Sequence, residues 1–193
     1  MDHADHLLGA GGRIVAVDRD ARALRENERA VRGRFPGVEL ATITADLTGP
    51  LSLSELDGIV AANSLHYVAR DEQVAVIRDL AAHLRPDGRF VVVEYDVDRG
   101  NPWVPHPFSY RSWERLAEAA GLVGTHRIGH VPSRFLDAIY SAESRRPGVA
   151  DRRSACDACV PATGYPAVIS FLPVGLAVLP GFRHPPGHEG PAR

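Results

Sequence analysis

There is no lysine in this chain of 193 residues; all 22 of its Lys+Arg side chains are arginine. Without lysine there is no Tyr-x-x-x-Lys pair, which disfavours a nicotinamide-dependent reductase. Cysteine is almost as scarce. Cys156 and Cys159 stand together outside the patterned region, so there is no disulfide framework. They form one CxxC with only His184 and His188 near in sequence, and no metal site is expected from so incomplete a ligand set. Long apolar runs are missing too. The best, over residues 167–179, is broken by Pro173 and too short to span a bilayer, so no membrane is expected. A net charge of −2 and a pI near 6.5 give no general pull toward polyanions, and no nucleic acid is expected as partner. No secretory h-region precedes the first strand-like run, which points to a cytoplasmic setting.

What is present is an ordinary globular composition, 45% hydrophobic and 24% charged, with room for one α/β domain. The β-branched run in "GGRIVAVDRDARAL" stops on Asp18 and passes directly into a helical pattern, "DARALRENERAVRGRF", that Pro36 and Gly37 end. "VELATITADL" reads as the next strand, closing on Asp46. Residues 58–62 read as a buried strand ahead of "NSLHYV". Then Val74, Ile77, Leu80, Ala81 and Leu84 make a helical stripe, "RPDG" a turn, and residues 89–95 a strand. Near-continuous apolar strands alternating with amphipathic helices imply a parallel sheet covered by helices. After Glu94 a Pro and aromatic loop, "NPWVPHPFSY", leads into the helix "RSWERLAEAAGL". Two further strand-like runs, "GTHRIGHV" and "FLDAIYSAES", have only "PSR" between them, too short for a parallel crossover, so they should pair antiparallel. The expected fold is α/β: a Rossmann-like, mainly parallel sheet with a terminal antiparallel hairpin.

In such sheets ligands bind beyond the carboxyl ends of the strands, where this sequence places Asp18, Asp46, Asn63 with Ser64, and Glu94. The order and spacing of "RIVAVDRD", "ITADL", "GIVAANSLHYV", "LRPDGRFVVVEYD" and "FSYRSWERLAEAAGL" resemble a class I S-adenosylmethionine-dependent methyltransferase over residues 12–144. The resemblance implies S-adenosylmethionine as cofactor and a small-molecule methyl acceptor as partner. It assigns Asp18, with Arg19 beside it, to the ribose hydroxyls, and a carboxylate does offer paired acceptors to two neighbouring O–H donors. It assigns Asp46 and Leu47 to the adenine, and Asn63 and Ser64 to the methionine part. Each assignment has a plainer rival: Asp18 as the cap of the helix that follows, Asp46 as a turn former.

His66 and Tyr67 are the catalytic candidates, because a neutral imidazole can take a proton from an O–H or N–H nucleophile as the methyl is transferred. A structural or pocket-lining His66 is the alternative. Glu94 reads as a substrate contact or a solvated strand end. Trp103, His106, Phe108 and Tyr110 form either an aromatic lid or a surface loop with a few buried anchors.

One part of the family pattern is missing. "GAGG", residues 9–12, precedes a strand instead of following one, so it is no cofactor-cradling turn. The first strand and its glycine-rich turn are therefore expected to be absent, and the chain reads as N-terminally truncated. That leaves a gap between the strands ending at Asp18 and at Ala62, and weak cofactor binding or none. "VISFL", residues 168–172, is β-rich enough to fill the gap, but Pro173 and the lack of a glycine turn argue against it. The domain is expected to span residues 1–146, followed over 147–193 by a Pro/Gly-rich, disordered and dispensable tail. Methyl transfer to a small molecule is the leading function, and an inactive, truncated relative serving as a binding or regulatory partner the alternative.

Overall fold

The computed structural model describes residues 13–148 and, as backbone, the segment Ala167–Phe171. Strand β1 is Arg13–Asp18, and its β-branched centre is buried at Val15 and Val17. Asp20 accepts the Arg22 N–H at 2.7 Å and so caps helix α1, Ala21–Arg34. Helix α1 buries Ala23 and Leu24 and ends with Arg32 and Arg34 in its last turn, where cations suit the helix dipole. Next come β2, Glu39–Thr44, and β3, Leu56–Ala62. A single 3-10 turn, Leu65–Tyr67, leads to α2, Gln73–Ala82, whose Val76, Ile77, Leu80 and Ala81 face the core. Strand β4 is Leu84–Tyr95. Helix α3, Tyr110–Ala119, is capped by the Ser109 hydroxyl and buries Trp113 and Ala117, four residues apart on one face. Strands β5, Val123–Pro132, and β6, Ala138–Arg145, form the closing hairpin, and β7 is Ala167–Phe171.

These seven strands make one sheet in the order β2-β1-β7-β3-β4-β6-β5. The β1–β2, β1–β7, β3–β7 and β3–β4 pairs are parallel, whereas β4–β6 and β5–β6 are antiparallel. The α/β architecture and the antiparallel hairpin thus agree with the sequence reading. The open gap does not. Residues from the tail occupy it: Ala167–Ser170 run alongside Arg13–Ala16, and Val168–Phe171 alongside Gly58–Ala61. The expectation that this segment would not enter the sheet gave too much weight to proline. Pro166 and Pro173 bracket the strand in sequence, so they limit the ladder to five residues without breaking it. The rest of the tail, with Cys156, Cys159, His184 and His188, and the helix and glycines expected before residue 13, lie outside the described residues.

A second difference concerns "RPDG". It does not precede β4 but lies within it as a bulge: Leu56 pairs with Leu84 and Gly58 with Arg89, while Asp87 adopts φ +62°. A Cβ on Gly88 would fall 2.8 Å from the Arg85 carbonyl oxygen, so the close turn needs glycine there. The core lies around β3, β4 and β6. Ile59, Leu65, Ile77, Leu84, Phe90, Trp113 and Tyr140 are all essentially inaccessible to solvent.

Candidate active site

Because β1, β2, β3 and β4 are parallel, Asp18, Asp46, Asn63, Ser64 and Glu94 all come to one edge of the sheet. The Ala45 N–H donates to the Asp18 carbonyl at 3.1 Å, which ties the end of β1 to the loop after β2. A cleft of about 480 Å³ opens at this edge. Asp18, Arg19, Asp46 and Leu47 line one side of it, and Ser64 and Tyr67 the other. That volume suits a small-molecule ligand.

The helix cap is Asp20, so Asp18 is not needed for that task. One Asp18 carboxylate oxygen accepts the Asp20 N–H at 2.8 Å, and its second oxygen has no partner among the described residues. Asp46 accepts the Thr48 N–H at 2.9 Å and the Thr48 hydroxyl at 2.7 Å. The backbone bond from Thr48, then its hydroxyl, hold the Asp46 carboxyl below the usual carboxylate range, and the Arg19 charge adds to this against a small cost of burial. Asp46 is therefore both a turn former and an anion facing the cleft.

Asn63 sits at φ +49°, a conformation asparagine tolerates better than most residues, and its N–H donates to the Val93 carbonyl at 2.8 Å. This extends the β3–β4 ladder by one residue and turns the chain into the cleft. Asn63 Oδ1 and Ser64 Oγ are buried and have no hydrogen-bond partner among the described residues. Ser64 lines the cleft and Asn63 precedes it in the chain; an unpaired buried polar atom is costly, and a ligand could satisfy it.

His66 and Tyr67 lie side by side, ring centroids 4.3 Å apart, but in different surroundings. Tyr67 is 48% exposed and lines the cleft; His66 is 2% exposed and stands behind it. Glu94, wholly buried, accepts from His66 Nδ1 at 2.8 Å and from the His66 backbone N–H at 3.3 Å. Glu94 is thus neither a solvated strand end nor a wall of the cleft. A buried carboxylate without these two donors would be strongly unfavourable. With Nδ1 committed to Glu94, the other ring nitrogen, Nε2, is buried and has no partner among the described residues.

The aromatic loop is fastened beside this turn. The His106 N–H donates to the His66 carbonyl at 3.0 Å, and Gln73 Nε2 donates to the His106 carbonyl at 2.8 Å. Phe108 and Val104 are buried anchors, whereas Trp103 is 80% exposed. Tyr95 lies 6.1 Å from the His66 ring, and burial, reinforced by the charges of Glu94 and Tyr67, raises its phenol pKa. The Tyr95 position, the Glu94 pairing and the Thr48 contacts were not foreseen. The one available signal was an acid interrupting the apolar run "VVVEYD", since such an acid must find a buried partner.

Among the described residues no cluster of His, Cys, Asp and Glu could hold a metal ion, and no helix is long and apolar enough to cross a membrane.

A family described as "Methyltransferase domain" matches residues 2–90. No curated protein is similar to the chain in sequence. Similar solved structures include an S-adenosylmethionine-dependent methyltransferase from Methanosarcina mazei, at 12% identity and TM-score 0.54, over 77% of this chain and 99% of that one. Another is magnesium protoporphyrin IX methyltransferase from Synechocystis with bound S-adenosylmethionine, at 16% identity and TM-score 0.56, over 74% of this chain and 73% of that one. A third is the 1,6-didemethyltoxoflavin-N1-methyltransferase of Burkholderia thailandensis with bound S-adenosylhomocysteine, at 18% identity and TM-score 0.51, over 75% and 76%. Other similar structures are longer, and the chain spans 64% and 53% of two of them. At such identities the likeness is one of fold.

Proposed function

We propose that this chain, whose residues 2–90 match a methyltransferase domain and whose fold is similar to that of S-adenosylmethionine-dependent methyltransferases, transfers a methyl group from S-adenosylmethionine to a small-molecule acceptor. The observation that carries the reading is the cleft itself, whose two sides present the residue types that this cofactor requires. When bound, the cofactor supplies a sulfonium-activated methyl, so the protein's work is orientation and exclusion of water.

In this reading Asp18 turns its unpaired carboxylate oxygen to the ribose hydroxyls, with Arg19 beside it at the rim. Asp46, kept ionised by Thr48, accepts from the adenine amino group, and Leu47 packs on the ring. Asn63 and Ser64 satisfy their buried, unpaired oxygens against the methionine part. Tyr67 forms the acceptor side of the cleft. His66 is the proton acceptor, its Nδ1 fixed by Glu94 so that Nε2 is the nitrogen left to take a proton. The domain is assigned to residues 1–146, extended by the strand Ala167–Phe171.

The alternative, an inactive relative acting as a binding partner, drew its force from an empty sheet position, and β7 stands in that position. His66→Ala tests the catalytic assignment. It should leave S-adenosylhomocysteine affinity within about twofold while lowering turnover by roughly 10²-fold or more, the usual contribution of a positioned base. Turnover equal to wild type would make His66 a packing residue.

A further inference from the structure

Strand β7 is the hydrogen-bonded link between two parts of the sheet. Among the described residues β1 pairs only with β2 and β7, and β3 only with β4 and β7. The cleft straddles this seam. Asp18, Arg19, Asp46, Leu47 and Thr48 belong to the β2–β1 part, while Ser64, Tyr67 and Val68 follow β3. With β7 in place the ends of β1 and β3 stand two strand spacings apart, about 9.5 Å, and without it no backbone bond fixes their separation.

We propose that docking of the C-terminal strand Ala167–Phe171 is thermodynamically coupled to ligand binding in the cleft, so that the tail acts as a latch on the cofactor site. The inference rests on the cofactor reading above. A ligand that touches both sides of the seam binds better when their spacing is fixed, and by linkage it must then favour the docked strand by the same factor.

The latch is short and local. Only four residues of β7 face each neighbour, and Pro166 and Pro173, which donate no backbone hydrogen bond, limit its growth. It is also easy to close within one chain. β6 ends at Arg145 and β7 begins at Ala167 at the same, amino-terminal edge of the sheet. Three strand spacings, about 14 Å, separate them, and the roughly twenty residues between can span far more than that.

The test uses the full chain. Ile169→Pro places proline in the middle of the strand, where a central ladder does not accept it, and Ile169→Val is the control. Calorimetry with S-adenosylhomocysteine should show at least tenfold weaker binding for Ile169→Pro than for Ile169→Val. Hydrogen exchange should show β3, β4 and β6 still protected in the proline variant. In the wild type, the amides of residues 168–171 should be protected, and saturating S-adenosylhomocysteine should slow their exchange more than it slows those of β6. That second measurement decides the matter even if the proline variant fails to fold. Equal affinities in the two variants, or exchange at residues 168–171 that the ligand leaves unchanged, would overturn the latch and leave the cofactor reading standing. A wild-type chain that shows no binding would overturn both.

Discussion

The two sides of β7 are built differently. Toward β3, β4, β6 and β5 the sheet carries a dense aromatic centre: Trp113 lies 5.6 Å from Phe90 and 5.9 Å from Phe108 between ring centroids, and the Tyr140 hydroxyl donates to the Phe108 carbonyl. Toward β1 and β2 the buried side chains are few and mostly small: Val15, Ala16, Val17, Ala23 and Leu24, with no residue of β2 fully buried. One side is a core that can hold itself together. The other is, among the described residues, a thinner layer, and it supplies most of the residues that line the cleft. Binding sites are commonly drawn from the less stable part of a domain, and the proposed cofactor site would follow that rule if the β1–β2 side opens more easily than the aromatic centre.

Substitutions on the two sides should therefore have different reach. Trp113→Ala removes the largest buried side chain and should cost about 3–5 kcal/mol in denaturant unfolding, with protection lost across the whole domain. Leu24→Ala should cost about 2 kcal/mol, at the low end for a buried leucine, with hydrogen exchange accelerated in β1, α1 and β2 and little changed in β4 and β6. A loss spread evenly over both sides would erase the distinction. Asp20→Ala removes the cap of α1 and should cost about 1 kcal/mol, confined to the same weak side.

The smallest effect concerns pH. The folded-state pKa of Asp46 is lowered, so its contribution is fully present above the unfolded value of 3.8 and fades as pH falls through the folded value. Thr48→Val should raise the Asp46 pKa toward the ordinary value in an NMR titration and reduce the difference in stability between neutral and strongly acidic solution. Valine keeps the backbone N–H, so an unchanged titration would show that the Thr48 hydroxyl does not help to hold the charge.

Much of this was legible in the sequence because periodicity and strand-end acids are local signals. The apolar run of residues 13–17, the stripe through Ile77 and Leu80, and the short link between β5 and β6 each report on neighbours in the chain. The placement of Asp18, Asp46 and Asn63 at one edge of the sheet followed once the strands were parallel. What escaped the reading depends on distance in sequence. The β-rich run at residues 168–172 was a visible candidate for the gap, but Pro173 and the lack of a glycine turn argued locally against a strand that long-range pairing nevertheless places beside Arg13. The His66–Glu94 pair spans 28 positions and is visible only after β4 has been set beside β3. The rival reading of Asp18 as the helix cap fails by two residues, because Asp20 is the cap, and that leaves one Asp18 oxygen without a partner among the described residues.

The central claim, that the cleft at the carboxyl edge is the cofactor site with Asp18 as a principal contact, is tested most directly by titrating S-adenosylhomocysteine into the full chain and into Asp18→Ala by calorimetry. The account predicts one site per chain in the wild type and a loss of about 1.5–3 kcal/mol in the variant, roughly ten- to a hundredfold in affinity, with unchanged thermal stability in the absence of ligand. Equal affinity in the two proteins would contradict it.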